Sequence, residues 1–210
     1  MVILGLTGSI AMGKSTAAAN FRRLGVPVYD ADSTVHRLLA KGGAAVPLVA
    51  AAFPGTVQHG AVDRAALGAV VFADHAALKR LERIVHPLVR AGEGRFLRRQ
   101  AARRARLVVL DIPLLLEDRG EGRCDAVAVV SAPAFLQAQR VLARAGMTRK
   151  RLAGILRRQM PDREKRRRAD FVVESGLGKR HSLRRIRHIV RLLRARRGRN
   201  WPPRPYLKRG

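Results

Sequence analysis

One cysteine, nine aromatic residues and fifteen acidic residues in a chain of 210 already exclude several kinds of protein. The single thiol, Cys124, rules out an internal disulfide and a cysteine-rich metal site, and its position just before an apolar run suits a small residue near a strand start. The nine aromatics show no clustering, so the stacking platforms that hold single-stranded nucleic acid are missing. Neither zinc-ligand spacing nor a helix-turn-helix pattern replaces them. No apolar run approaches the roughly 20 residues that cross a bilayer. A β-rich run and a glycine loop begin almost at Met1, leaving no room for a signal peptide, so the expected compartment is the cytoplasm.

The scarcity of acid sets the charge. Against 43 Lys and Arg, the formal net charge is +28. From Lys179 to Gly210 there are thirteen basic residues and no acidic one, which leaves thirty basic against fifteen acidic in the first 178. Arginine, alanine and glycine dominate, as a GC-rich coding sequence tends to produce, so many arginines read as a solvated surface. The functional reading is attraction of polyanions, whether phosphorylated substrates or nucleic acid, and charge alone does not separate the two. The hydrophobic fraction is 47%, enough for a substantial core built mostly from Ala, Val and Leu.

What the chain does have stands at its start. Gly8-Ser9-Ile10-Ala11-Met12-Gly13-Lys14-Ser15 fits G-x-x-x-x-G-K-[ST], behind the apolar run Val2–Leu6 and ahead of a helix-forming stretch from Thr16 to Leu24. Backbone N–H groups of such a loop curl around phosphate oxygens, with a helix N-terminus beneath them. Lys14 reaches the β/γ-phosphates and the Ser15 hydroxyl suits Mg²⁺. The competing reading is a chance match in a Gly/Ala-rich chain; strand before and helix after argue against it.

Short, continuously apolar runs at 2–7, 26–30, 107–111, 126–131 and 171–174 read as buried parallel strands, with helical patterns between them. That alternation predicts an α/β fold: a doubly wound, five-stranded parallel sheet. Residues 31–106 hold no convincing buried strand, only helical patterns near 33–40, 44–52, 64–72, 75–85 and 88–105. They read as an inserted helical lobe for a second substrate. A basic zone at 146–169, broken at Pro161, reads either as a small helical lid or as an ordinary kinked crossover. Leu183 to Leu193 has helical apolar spacing, and the Arg/Pro-rich tail from about 195 to 210 is expected to be disordered. The main domain is thus 1–194.

Candidate chemistry lies at strand ends, where open α/β sheets bind ligands. Of Asp30 and Asp32, one can take a hydroxyl proton while the other caps the next helix; spacing leaves both options open for Asp32. Asp111 ends an apolar strand, as a carboxylate assisting Mg²⁺ would. Ile112 to Leu116 forms either a ligand wall or core. Arg140 and Arg144 share a helix face and offer forked donors to phosphate. His86-Pro87 is placed at a helix junction, where a histidine is more often structural.

Taken in order, these pieces resemble the dephospho-CoA kinase family. The marks run from residue 2 to about 178: Leu6-Thr7-Gly8 into Gly13-Lys14-Ser15-Thr16, Asp30-Ala31-Asp32, Asp63-Arg64-x-x-Leu67, Val71-Phe72, Leu81-Glu82-x-Ile84-Val85-His86-Pro87, Pro113-Leu114-Leu115-x-Glu117, Gln139-Arg140 with Arg144, Gln159, and Ala169 to Val173. The phosphate loop is shared by many kinases; Asp-Ala-Asp with His-Pro and Pro-Leu-Leu-x-Glu is far more specific. The resemblance implies a P-loop NTPase fold and ATP-dependent phosphorylation of the ribose 3′-hydroxyl of dephospho-CoA, with Mg²⁺. It makes Asp32, Lys14 and Arg140 catalytic. Ala11, Met12, Gly13, Lys14, Ser15, Thr16 and Arg144 would bind ATP, with Ser15 also at the metal. Asp32, Arg64, His86, Leu114 and Glu117 would bind the acceptor.

The chain departs from the family pattern at Ser9, Ala11 and Met12, where the family often has glycine, glycine and serine, and at Ser175, commonly asparagine. The two pattern glycines remain, so an intact loop is expected. Expected partners are the two small-molecule substrates, with no membrane and no specific nucleic acid; the oligomeric state stays open, a monomer included. The alternatives are another small-metabolite or nucleotide P-loop kinase and a nucleic-acid-associated NTPase.

Overall fold

The structure is a computed structural model that describes residues 1–202; the expected disorder of 203–210 lies outside the described residues. The chain divides into two compact units, one formed by Met1–Tyr29 with Gln100 onward, the other by Asp30–Arg99.

The first unit is built on the apolar runs. Strands β1 (Val2–Thr7), β2 (Val28–Asp30), β5 (Leu107–Asp111), β6 (Ala126–Ser131) and β7 (Phe171–Glu174) form one sheet in the order β2-β5-β1-β6-β7. Pairing of β1 with β5, β1 with β6 and β6 with β7 is parallel. Every residue of β1, β5 and β6 is buried, as the absence of alternation requires of strands covered on both faces. Helices α1 (Lys14–Arg23) and α9 (Lys179–Arg194) bring Ala17, Ala18, Phe21, Ile186, Ile189, Val190 and Leu193 into one core with Leu4, Leu6, Val109 and Val130. Helices α6 (Ala134–Leu142), α7 (Arg149–Arg158) and α8 (Asp162–Arg168) lie between β6 and β7 in sequence. Leu115 and Leu116 pack with Val127, Val129 and Met160 in a further cluster.

The second unit contains α2 (Ala31–Leu39), α3 (Val46–Ala52), α4 (Arg64–Ala73) and most of α5 (His75–Ala102) around Leu39, Val49, Phe53, Leu67 and Val71. Two features differ from the sequence-based expectation. A hairpin of β3 (Val57–Gln58) and β4 (Ala61–Val62) interrupts the helices. His59 and Gly60 both take positive φ, the backbone a tight two-residue hairpin turn demands; strands of two residues are too short for any periodicity to announce them.

The second difference is that α5 runs unbroken through Pro87, where two helices and a junction were expected. A proline inside a helix costs about 3 kcal/mol. Val85 before it and Phe96 and Leu97 after it are all buried, and each such burial is worth roughly 1.5–3 kcal/mol. Keeping both segments in phase with the core outweighs one lost hydrogen bond.

Candidate active site

The phosphate loop follows β1 directly. Gly8 is required by close approach: a Cβ there would lie 2.6 Å from the Val130 carbonyl oxygen. Gly13 is required by conformation, with φ 90. It is also the N-cap of α1 and supplies no side-chain hydrogen bond, and the first turn holds no acid. The first backbone bond inside the helix is Ala17 N to Gly13 O at 3.1 Å. The N–H groups of Lys14, Ser15 and Thr16 therefore have no acceptor within the helix, and among the described residues no side chain takes that place. Ser15 and Thr16 are exposed. This is the geometry of an anion site.

Lys14 stands beside it with Nζ 2.6 Å from Asp111 Oδ1 at the end of β5. Asp111 is 2% exposed, and pairing with a cation is what keeps a buried carboxylate tolerable. Lys14 is thereby anchored at the loop rather than free in solvent. Any Mg²⁺ would draw on Ser15 and, beyond it, Asp111. Among the described residues no group of three or more His, Cys, Asp or Glu forms a cation cage.

Arg140, half-buried on α6, is docked against the same loop. Its Nη1 donates to Ser175 Oγ at 2.9 Å and to Ala11 O at 3.3 Å, and its Nη2 donates to Ser175 O at 3.1 Å. Ser175 Oγ in turn donates to Met12 O at 2.7 Å. Ser175, noted in the sequence only as a departure, thus joins Arg140 to the loop. Met12 is buried, and its sulfur accepts from Ala132 N at 3.1 Å. Ala11 takes φ 58 without being glycine, which explains physically why glycine is favoured there; the left-handed well costs an alanine about 1 kcal/mol. Arg144 does not share a helix face with Arg140 as its spacing suggested, because α6 ends at Leu142; it is exposed, and its guanidinium engages no partner among the described residues.

The run after β5 splits. Leu115 and Leu116 are core, whereas Leu114 is 39% exposed. Thr7 Oγ1 donates to Pro113 O at 2.8 Å, fixing the run beside β1. Glu117 Oε1 lies 2.8 Å from Nζ of the fully buried Lys165 on α8 and accepts from Met160 N at 3.0 Å. Its Oε2 is buried and has no hydrogen-bond partner among the described residues, leaving one acceptor unclaimed.

In the second unit, the capping position falls to Asp30 and not to Asp32. Asp30 is the N-cap of α2, its Oδ1 accepting from Ser33 N at 2.9 Å. Asp32, two residues past β2, is exposed, and its carboxylate has no hydrogen bond or ion pair among the described residues. Arg64 is the exposed first residue of α4, following the cap Asp63. His86 lines a cavity of about 580 Å³ with Lys79, Glu82, Arg83, Pro87 and Arg90; neither Asp32 nor Arg64 lines it. Sequence reasoning overlooked Gln137, Lys165 and Asp125, whose partners lie tens to more than a hundred residues away. No local spacing signals such contacts.

A parallel sheet in this order, with a glycine loop opening onto an uncapped helix and a lysine beside it, defines a P-loop nucleotide-binding protein of the kinase type. The family described as CoaE, dephospho-CoA kinase, matches residues 2–178, and the chain belongs to that family. It is 73% identical over 166 residues to the dephospho-CoA kinase of Paramagnetospirillum magneticum, covering 79% of this chain and 78% of that one. With the dephospho-CoA kinase of Mesorhizobium japonicum the identity is 57% over 198 residues, 94% of this chain and all of that one. Among solved structures, TT1252 from Thermus thermophilus superposes with a TM-score of 0.78 at 41% identity, covering 91% of this chain and 96% of that one.

Proposed function

We propose that this chain transfers the γ-phosphoryl group of ATP to the ribose 3′-hydroxyl of dephospho-CoA, giving CoA and ADP, the last step of coenzyme A synthesis. One observation carries the phosphoryl-transfer half: the uncapped start of α1, with three N–H groups open and Lys14 beside them. Membership of the family over residues 2–178 carries the acceptor half.

In this reading the N–H groups of Ala11 and of Gly13 to Thr16 cradle the β- and γ-phosphates, while Met12 N stays in the turn with Ser9 O. Lys14 leaves Asp111 for the phosphate oxygens, where its charge follows the migrating group. Arg140, held by Ser175, faces the same loop, and Arg144, just past the end of α6, is exposed and unengaged among the described residues. Mg²⁺, bound through Ser15, would neutralise phosphate charge. The 3′-oxygen bonds to the γ-phosphorus as the bond to the β–γ bridging oxygen breaks. Asp32 takes the hydroxyl proton and ADP leaves. Asp32 suits this role because Asp30 already caps the helix. It follows a strand of the parallel sheet by two residues, and ligands in such folds bind at the carboxyl ends of strands. Arg64, His86, Leu114 and the unclaimed oxygen of Glu117 would hold the acceptor. The α7–α8 stretch would be a lid, and the cytoplasm the site of action; no helix among the described residues is long and apolar enough to cross a membrane.

The test is ADP formation by purified protein across an acceptor panel. Dephospho-CoA should stimulate it strongly, whereas AMP, shikimate and single-stranded DNA should not. Stimulation by DNA alone would replace the proposal with a nucleic-acid-dependent NTPase.

A further inference from the structure

Ile10, in the middle of the phosphate loop, is gripped at both of its backbone polar atoms, the N–H of the Ser9–Ile10 peptide and the carbonyl of the Ile10–Ala11 peptide, by side chains from elsewhere in the same unit. Gln137 on α6 donates through Nε2 to Ile10 O at 2.9 Å. Ile10 N donates to Oε1 of Gln159, the C-cap of α7, at 3.1 Å. Gln137 is buried and Gln159 half-buried. The next residue is Ala11, in the left-handed region, and the turn closes through Met12 N to Ser9 O at 3.2 Å. Glycine would enter that region freely, whereas an alanine stays there only when its surroundings over-determine it. The grip on the preceding residue, Ile10, is such a determinant, and its two halves come from different places: Gln137 from α6, Gln159 from the junction between α7 and α8.

We infer that Gln137 and Gln159 are positioning residues for the kinase reaction. Together they hold the phosphate loop in its left-handed turn at Ala11, and through Gln159 the order of the loop depends on the placement of α7 and α8. Neither amide needs to touch the reacting atoms. Their effect passes through the two peptides that flank the Ile10 Cα, so losing either one disorders the loop and weakens ATP binding before it slows the chemistry. The inference deepens the reading of a phosphoryl-transfer site, but its first readout needs no turnover.

The experiment uses the full chain with Gln159→Leu and, separately, Gln137→Met, each removing one half of the grip at similar side-chain length. In nucleotide-free protein, hydrogen exchange at the Ile10 amide should quicken at least tenfold in Gln159→Leu. The KM for ATP should rise fivefold or more in both variants, with a smaller fall in kcat. Adding Ala11→Gly should recover most of that affinity, because glycine adopts the turn unaided. The recovery should exceed by several-fold whatever Ala11→Gly does in the parent, a non-additivity that marks coupling. Unchanged Ile10 exchange in Gln159→Leu, or an equal effect of Ala11→Gly in all backgrounds, would overturn the inference. Should the parent make no ADP with dephospho-CoA, the substrate reading fails alone; exchange and the affinity for an ATP analogue still decide the grip.

Discussion

Helix α4 begins on Asp63, whose carboxylate accepts from Ala65 N and Ala66 N; helix α1 begins on Gly13, which offers its amides nothing. The contrast extends across the molecule. Of only fifteen acidic residues, at least six bind backbone N–H groups. Asp30 takes Ser33 N, Asp74 takes Ala76 N, Asp170 takes Val127 N and Glu117 takes Met160 N. Asp63 caps α4, and Asp125 holds Ile3 N, Arg199 N and Asn200 N. In a chain with net charge +28, scarce carboxylates sit where the fold needs an acceptor. The start of α1 has no such acceptor, a place that a phosphate oxygen would take in the proposed reaction. Helices α3, α6, α8 and α9 also begin without a side-chain cap; what sets the start of α1 apart is the glycine loop that leads into it and Lys14 beside it.

The contrast is tested hardest at Asp30 and Asp32, two carboxylates separated by Ala31, the first a helix cap and the second the proposed base. Asp32→Asn should lower turnover by a factor on the order of 10²–10⁴, the usual contribution of a general base, while the Kd for ATP and the melting temperature stay close to those of the parent. Asp30→Ala should do the reverse in kind, costing about 1 kcal/mol of stability through the lost cap. Near-normal turnover in Asp32→Asn would remove it from the chemistry.

At the open end itself, Lys14→Met should reduce kcat/KM for ATP by a factor on the order of 10²–10³, as when one stabilising donor is taken from a transition state. It also removes an ion partner from a buried carboxylate, so stability should fall too. Adding Asp111→Asn should restore part of the melting temperature and none of the rate. Recovery of both together would mean that the pair is structural. A milder attack on the same end is Gly13→Ala. Its Cβ would meet Ser175 at 3.1 Å, at φ 90. The left-handed penalty of roughly 1–2 kcal/mol predicts a Kd for ATP weaker by a factor of roughly 5–30, read by calorimetry, as the unliganded loop relaxes out of the turn and ATP has to restore it.

These contrasts also mark the limit of what the sequence discloses. Four of the five sheet strands have the residue bounds their apolar runs indicate, because strands buried on both faces leave an uninterrupted signal. β2 is shorter than its run, since Val26 is buried in the core without joining the strand. The glycine loop was legible because it is local, eight residues with a fixed spacing. The assignment of Asp30 to the cap was not, since both aspartates have the right spacing and only the backbone of α2 distinguishes them. Nor were the links from Ser175 to Met12, Gln137 to Ile10 and Lys165 to Glu117, which join residues 163, 127 and 48 positions apart. The unbroken α5 shows the opposite failure: a strong local rule about proline yielded to burial on both sides of it.

Where an end is already closed, loss of the carboxylate should touch stability alone. Asp63→Ala should lower stability by about 1 kcal/mol, a shift of roughly 2–4 °C in Tm for a chain of this size, with ATP affinity unaltered. The smallest effect is expected at the tail. Residues 196–202, read from composition as disordered, instead place Arg199 N and Asn200 N at 2.6 and 3.0 Å from Asp125 Oδ1, while Asp125 Oδ2 holds Ile3 N at 2.7 Å. Ending the chain after Ala195 removes two of those three bonds, but Oδ1 is at a surface where water replaces them. The net loss should stay under about 1 kcal/mol, and turnover at 25 °C should be unchanged. Asp125→Ala should cost more than the truncation, because Ile3 N, at the start of the central strand, then loses its acceptor as well. Equal Tm shifts for the two variants would show that Asp125 serves the tail alone and contributes nothing to the anchoring of β1.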